Sequence, residues 1–120
     1  MANKNLLLIF RNPPFSDSSN RDTLDIALAC SAFEIPVSLL FLGDGVLQLI
    51  RGQQSKTLQQ KNLLNTFNAL AMYDIDQLFV LQSDLQRFEL IAADLSIDCQ
   101  LICETQMAKL IRQSDRIINL

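Results

Sequence analysis

The groups best suited to covalent chemistry in this 120-residue chain are three thiols, Cys30, Cys99 and Cys103. No histidine accompanies them. That removes the commonest general base and metal ligand, and with it any Ser-His or Cys-His pair within the chain. Cys99 and Cys103 stand four apart in a segment that reads as a strand. At roughly 3.3 Å per residue their sulfurs would lie about 13 Å apart. A disulfide needs Cα atoms within about 7 Å, so this pair cannot close while extended. The repeated CxxC spacing of a zinc site is absent. A reactive cysteine should be exposed and near positive charge or a helix N-terminus. Cys30 and Cys99 read as small core residues. Cys103, between a strand and a helix, is the one candidate reactive thiol, and its neighbour Glu104 weakens even that case. All three thiols are read as structural.

Three other segments invite a chemical reading. The loop from Arg11 to Asn20 follows the first predicted strand, where open α/β sheets bind ligands. It contains no glycine and matches neither a Walker loop nor a dinucleotide fingerprint, so it reads as a surface loop. Gly43-Asp44-Gly45 follows the second strand. The glycines permit a sharp turn, and Asp44 is placed to cap the short helix that follows. Asp74 and Asp76 stand two apart, but two carboxylates without further oxygen ligands make a poor cation site. The expectation is no catalytic residue, no cofactor and no metal.

The bulk composition agrees with a scaffold. Apolar residues make up 49% of the chain and charged residues 19%, below the usual quarter or so. A small domain so poor in charge is expected to hide surface in an assembly, since interface cores lose charges first. The formal net charge is −3 and no two basic residues are adjacent, so direct nucleic-acid binding is not expected. No run reaches the eighteen apolar residues of a membrane span. The first apolar run, Leu6 to Phe10, is short for a secretion signal and is followed by Arg11-Asn12-Pro13-Pro14. With an odd number of cysteines, this points to a cytoplasmic protein.

The elements that must position these groups alternate. Apolar runs at Leu6–Phe10, Val37–Leu42, Gln77–Leu81, Cys99–Cys103 and Arg116–Leu120 read as strands. Helices are expected from Asn20 or Arg21 to just before Pro36, at Val46–Ile50, over Leu58–Met72, near Ser83–Phe88 and at Thr105–Arg112. Strands alternating with helices imply parallel pairing. The expected fold is a single three-layer α/β domain over residues 1–120, with a mostly parallel five-stranded sheet of the flavodoxin or Rossmann kind.

Four segments, taken together, resemble the TusC/DsrF family of the wider DsrE/DsrF/DsrH fold group. The most specific is Phe41-Leu42-Gly43-Asp44-Gly45-Val46, continuing through Leu47 to Gly52-Gln53. The others are Arg21-Asp22-Thr23-Leu24-Asp25 with Leu28-Ala29, then Tyr73-Asp74-Ile75 with Leu85 and Arg87, and finally Ser114 to Leu120. Thr23 stands where the family usually has glycine. The resemblance implies a cytoplasmic subunit of a sulfur-relay complex serving 2-thiolation of the wobble uridine in certain tRNAs. It implies TusB-like and TusD-like partners in a heterohexamer, a dimer of trimers, that hands sulfur to a TusE-like acceptor. The reactive cysteine then belongs to the TusD-like chain. The matching segment here, Val80 to Leu85, holds Ser83 and no cysteine. The expected role is therefore non-catalytic, with Phe67, Met72, Tyr73 and Phe88 as contact residues and Asp44, Gly45, Gly52, Gln53, Tyr73 and Asp74 as motif or structural positions. Three alternatives stand beside it: a DsrF-type subunit of dissimilatory sulfur oxidation, an active sulfurtransferase carrying sulfur on its own Cys103 or Cys99, and a free-standing flavodoxin-like ligand binder.

Overall fold

Alternate residues of an extended chain point to opposite sides, so a strand that is apolar throughout must lie between two covered faces. Strand β1, Leu6–Phe10, meets that condition: Leu7 and Leu8 are fully buried and Phe10 nearly so. The computed structural model describes residues 5–11, 19–49, 70, 75, 77–95 and 98–119. Beside β1 lie β2 (Val37–Phe41) and then β3 (Gln77–Leu81) and β4 (Gln100–Ile102), while β5 (Arg116–Asn119) lies on the other side of β1. The order is β4-β3-β2-β1-β5, and every described pairing is parallel. The sheet is thus wholly parallel, where the sequence suggested mostly parallel.

Helix α1 (Ser19–Ala32) connects β1 to β2, α2 (Gln82–Arg87) follows β3, and α3 (Glu104–Gln113) connects β4 to β5. The chain steps in one direction from β1 to β4 and then crosses back over the sheet to β5. Because parallel crossovers are right-handed, this reversal places α3 on the face opposite α1. The packing agrees. Leu24 and Ala27 of α1 and Leu85 of α2 join Leu8, Phe10, Leu39, Phe41 and Val80 in the larger core. Met107, Leu110 and Ile111 of α3 pack against Leu7, Ile9, Leu40 and Ile102 on the other face. These are the three layers the alternation of elements demanded.

The ends of the elements are closed locally. Helix α1 stops in a left-handed turn at Glu34 (φ 58°), where the Ile35 and Glu34 amides donate to the Cys30 and Ser31 carbonyls, and Pro36 prevents continuation. Helix α2 stops in the same way at Glu89 (φ 57°), with the Leu90 and Glu89 amides donating to Leu85 and Gln86. Glycine is the usual residue at such a position, and here glutamate occupies both. At the amino end of the sheet, the Asn5 amide donates to Asp115 Oδ2 at 2.8 Å and the Asp115 and Arg116 amides donate to the Asn5 carbonyl. This pins the start of β5 to the start of β1. Among the described residues no helix is long and apolar enough to cross a membrane.

Candidate functional site: the carboxyl edge of the sheet

In a parallel sheet all strands leave at one edge, so their exit loops meet there. Phe10, Phe41, Val80 and Leu101 form one row of the register just beneath that edge. The Phe10 and Phe41 rings stack at 4.8 Å with an interplanar angle of 16° and give the edge a rigid floor. Above it, the Leu42 amide donates to the Phe10 carbonyl at 3.0 Å, and the Gly45 amide donates to the Leu42 carbonyl at 2.8 Å. The chain then turns into a short 3-10 helix, Gly43–Leu49, whose Val46 and Leu49 are fully buried.

Both glycines of this turn have a physical reason. Gly43 has φ of +51°, a conformation that side chains disfavour. Gly45 sits so close to β1 that a Cβ would lie 1.9 Å from the Phe10 carbonyl oxygen, which is backbone and cannot swing aside. The role of Asp44 differs from the sequence reading. The helix starts at Gly43, so Asp44 lies inside its first turn, and its Oδ1 instead accepts from Arg87 of α2 at 3.4 Å. The Arg87 guanidinium also lies over the Phe88 ring, 4.5 Å from its centroid. In the other direction, Asp84 Oδ2 accepts from the Gly43 amide at 2.7 Å. Two acids thus cross between the same two segments: Asp84 reaches from α2 to the turn, and Asp44 is met from α2 by Arg87. The first contact is short, charge-assisted and part-buried; the second is long and exposed, so the first does most of the fastening.

Sequence reasoning singled out Asp44, Gly45 and Arg87 but passed over Asp84. The available signal was an acid in the first turn of a helix opening directly from a strand. Ser83, at the position of interest in Val80–Leu85, is exposed, as are Gln82 and Gln86. No cluster of three metal-ligating side chains occurs among the described residues. Phe88, expected at a partner contact, is half-buried against the larger core and beneath Arg87. Gly52, Gln53, Phe67, Met72, Tyr73 and Asp74, with the helix expected over Leu58–Met72, lie outside the described residues.

The cysteines separate by environment. Cys30 and Cys99 are partly buried against the larger core, while Cys103 is exposed. Burial, with a smaller contribution from the neighbouring Asp98 charge, pushes the Cys99 thiol up to about 12, so it stays protonated and poorly nucleophilic. Cys103 precedes α3, and its backbone amide donates to Gln106 Oε1 at 2.9 Å. Cys99 and Cys103 flank β4, in keeping with the separation that forbids a bridge between them. Among the described residues, the contacts at this edge tie the turn after β2 to α2.

A family model described as DsrE/DsrF-like matches residues 4–120. A TusC homolog from Pseudomonas aeruginosa is 38% identical over 117 residues, covering 98% of each chain. A TusC homolog from Haemophilus influenzae is 34% identical over 114 residues, covering 93% of this chain and 96% of its own. Among solved structures, the YchN protein of E. coli superposes with a TM-score of 0.79 at 14% identity, covering 98% of this chain and 99% of its own. At that identity the likeness speaks for the fold.

Proposed function

We propose that this chain, which belongs to the DsrE/DsrF-like family, is the non-catalytic TusC-like subunit of a sulfur-relay complex. In this reading it assembles with TusB-like and TusD-like chains into a heterohexamer and supports 2-thiolation of the tRNA wobble uridine. The observation that carries it is the exit segment of β3. Where the resemblance puts a sulfur-carrying cysteine in the TusD-like chain, this one has exposed Ser83, and the next residue, Asp84, is committed to the Gly43 amide. The segment is built to be held still. Fixed geometry is what a thiol-to-thiol relay gains from a neighbouring subunit. The charge-poor composition and the half-covered α3 supply surface for such neighbours. Phe67, Met72, Tyr73 and Phe88 remain the proposed contact residues.

Co-expression with TusB-like and TusD-like chains, followed by native mass spectrometry, tests the reading. A heterohexamer containing this chain is expected. A monomer beside those partners overturns it. A second reading, sulfur transfer through this chain's own thiol, is favoured by one observation, the exposure of Cys103. Loading the purified chain with a sulfane-sulfur donor and mapping its persulfides separates the two: a persulfide on Cys103 that passes to an acceptor thiol would establish the second.

A further inference from the structure

Strand β4 is an edge strand, paired only with β3 among the described residues, so its outer N–H and C=O groups have no strand partner. Open edges are commonly blunted with lysine, proline or a bulge. The opposite edge strand, β5, carries Arg116, whereas β4 reads Gln-Leu-Ile and has no such device beyond its shortness. Beside it lies a cavity of about 150 Å³ lined by Leu90, Ile91, Ala92 and Leu101 together with Gln82, Leu85 and Gln86 of α2. That is room for one aliphatic side chain. Ile91, which lines this cavity, is 66% exposed.

In sequence, the stretch between Arg87 and Lys109 is one-sided in charge. From Phe88 to Ala108 the chain has four carboxylates, Glu89, Asp94, Asp98 and Glu104, and no lysine or arginine. The rest of the chain holds ten basic and nine acidic residues, so the net negative charge of the protein comes from this stretch. Glu89 and Asp94 bracket the cavity residues Leu90–Ala92 in sequence, and Asp98 and Glu104 bracket β4. Of the four, Glu89, Asp98 and Glu104 are exposed, while Asp94 Oδ2 accepts from the Ile91 amide at 2.9 Å. A free strand edge, an apolar socket next to it and an acidic surround together specify an occupant by its chemistry.

We infer that the outer edge of β4 receives a basic extended segment of a partner protein, which adds to the sheet as a strand, places one aliphatic side chain in the Leu85–Leu101 cavity and sets lysines or arginines against Glu89, Asp98 and Glu104. Main-chain hydrogen bonds supply affinity in this mode, the socket supplies register, and the opposed charges select the partner and speed its arrival. The inference goes beyond the subunit reading and does not rest on it.

The test uses the full chain and a fluorescein-labelled seven-residue peptide alternating lysine with valine or isoleucine, beside a counterpart with glutamate in place of lysine. Fluorescence anisotropy is expected to show binding of the lysine peptide and at least tenfold weaker binding of the glutamate peptide. The lysine peptide should slow amide exchange at Gln100–Ile102. The double charge reversal Asp98→Lys with Glu104→Lys, and separately Ile91→Asp, should each weaken binding tenfold or more. All three positions are exposed, and circular dichroism checks that the variants stay folded. No binding, equal binding of the two peptides, variants within twofold of the parent, or unchanged exchange at Gln100–Ile102 each overturn the inference. Self-association of the chain alone that protects those amides would make a second copy the occupant and overturn it as well.

Discussion

Helices α1 and α3 invert the usual link between pattern and burial. Helix α3 is strongly amphipathic, with Met107, Leu110 and Ile111 on one side, yet no residue of it is buried. Helix α1 has a weak stripe, yet Leu24 and Ala27 are completely buried, and Thr23 almost so. Amphipathicity records which side a helix turns inward, while burial records how much protein stands over it. Helix α1 shares its face of the sheet with α2 and the 3-10 helix, whose Leu85, Val46 and Leu49 lie in the same core. Helix α3 is the one described helix in the smaller cluster. A helix is about 10 Å across and five strands span nearly twice that, so a single helix leaves its own flanks open. Exposed Ile117 on β5, paired in register with buried Leu7, belongs to that same thinly covered side.

The contrast can be broken most decisively at Leu24. Leu24→Ala should cost about 3 kcal/mol in urea unfolding of the isolated chain, as expected for a large cavity in a closed core. A loss below about 1 kcal/mol would put α1 on a par with α3. At half-buried Leu110 the same truncation should cost only about 1 kcal/mol in the isolated chain. If one of the proposed partners covers α3, the effect of the same truncation in the co-expressed complex should be several-fold larger. Equal effects in the two settings would remove α3 from the subunit surface. The smallest effect concerns the two thiols that flank β4. Iodoacetamide at pH 8 should modify exposed Cys103 and spare Cys99, read by peptide mass spectrometry. The Cys99 shift also has a sign. Above about pH 9 the unfolded chain gives up this proton while the folded chain keeps it to about 12. The unfolded state then binds fewer protons, so stability should fall across that window and be flat below it. Serine at position 99 should abolish that part of the alkaline slope.

Much of this architecture was legible because single residues announced it. The unbroken apolar run Leu6–Phe10 and the run Gln77–Leu81 coincide with β1 and β3, since strands covered on both sides need no alternation. Pro36 correctly ended α1, although the helix itself stops at Ala32 and the chain leaves it through a left-handed Glu34, a position no composition rule flags. The short helix after β2 starts at Gly43 instead of Val46, because the Asp84 carboxylate receives the Gly43 amide from a segment 41 residues away. That is also why the sequence alone points Asp44 to capping and gives Asp84 no role. Contacts between loops that meet only once the sheet has formed leave no local trace in sequence. The glycine at 45 was read as a turn former, whereas its decisive constraint is the Phe10 carbonyl of another strand.

The pairing of β5 with β1 has a consequence for how the molecule comes into being. The Asn5 amide and the Asp115 carboxylate are 110 residues apart in sequence. At ribosomal rates of roughly 5–20 residues per second, one flank of β1 therefore stays vacant for on the order of five to twenty seconds after that strand has emerged. During that interval the nascent chain displays an interior strand with one open flank, Leu-Leu-Leu-Ile-Phe, with the makings of an aggregation nucleus.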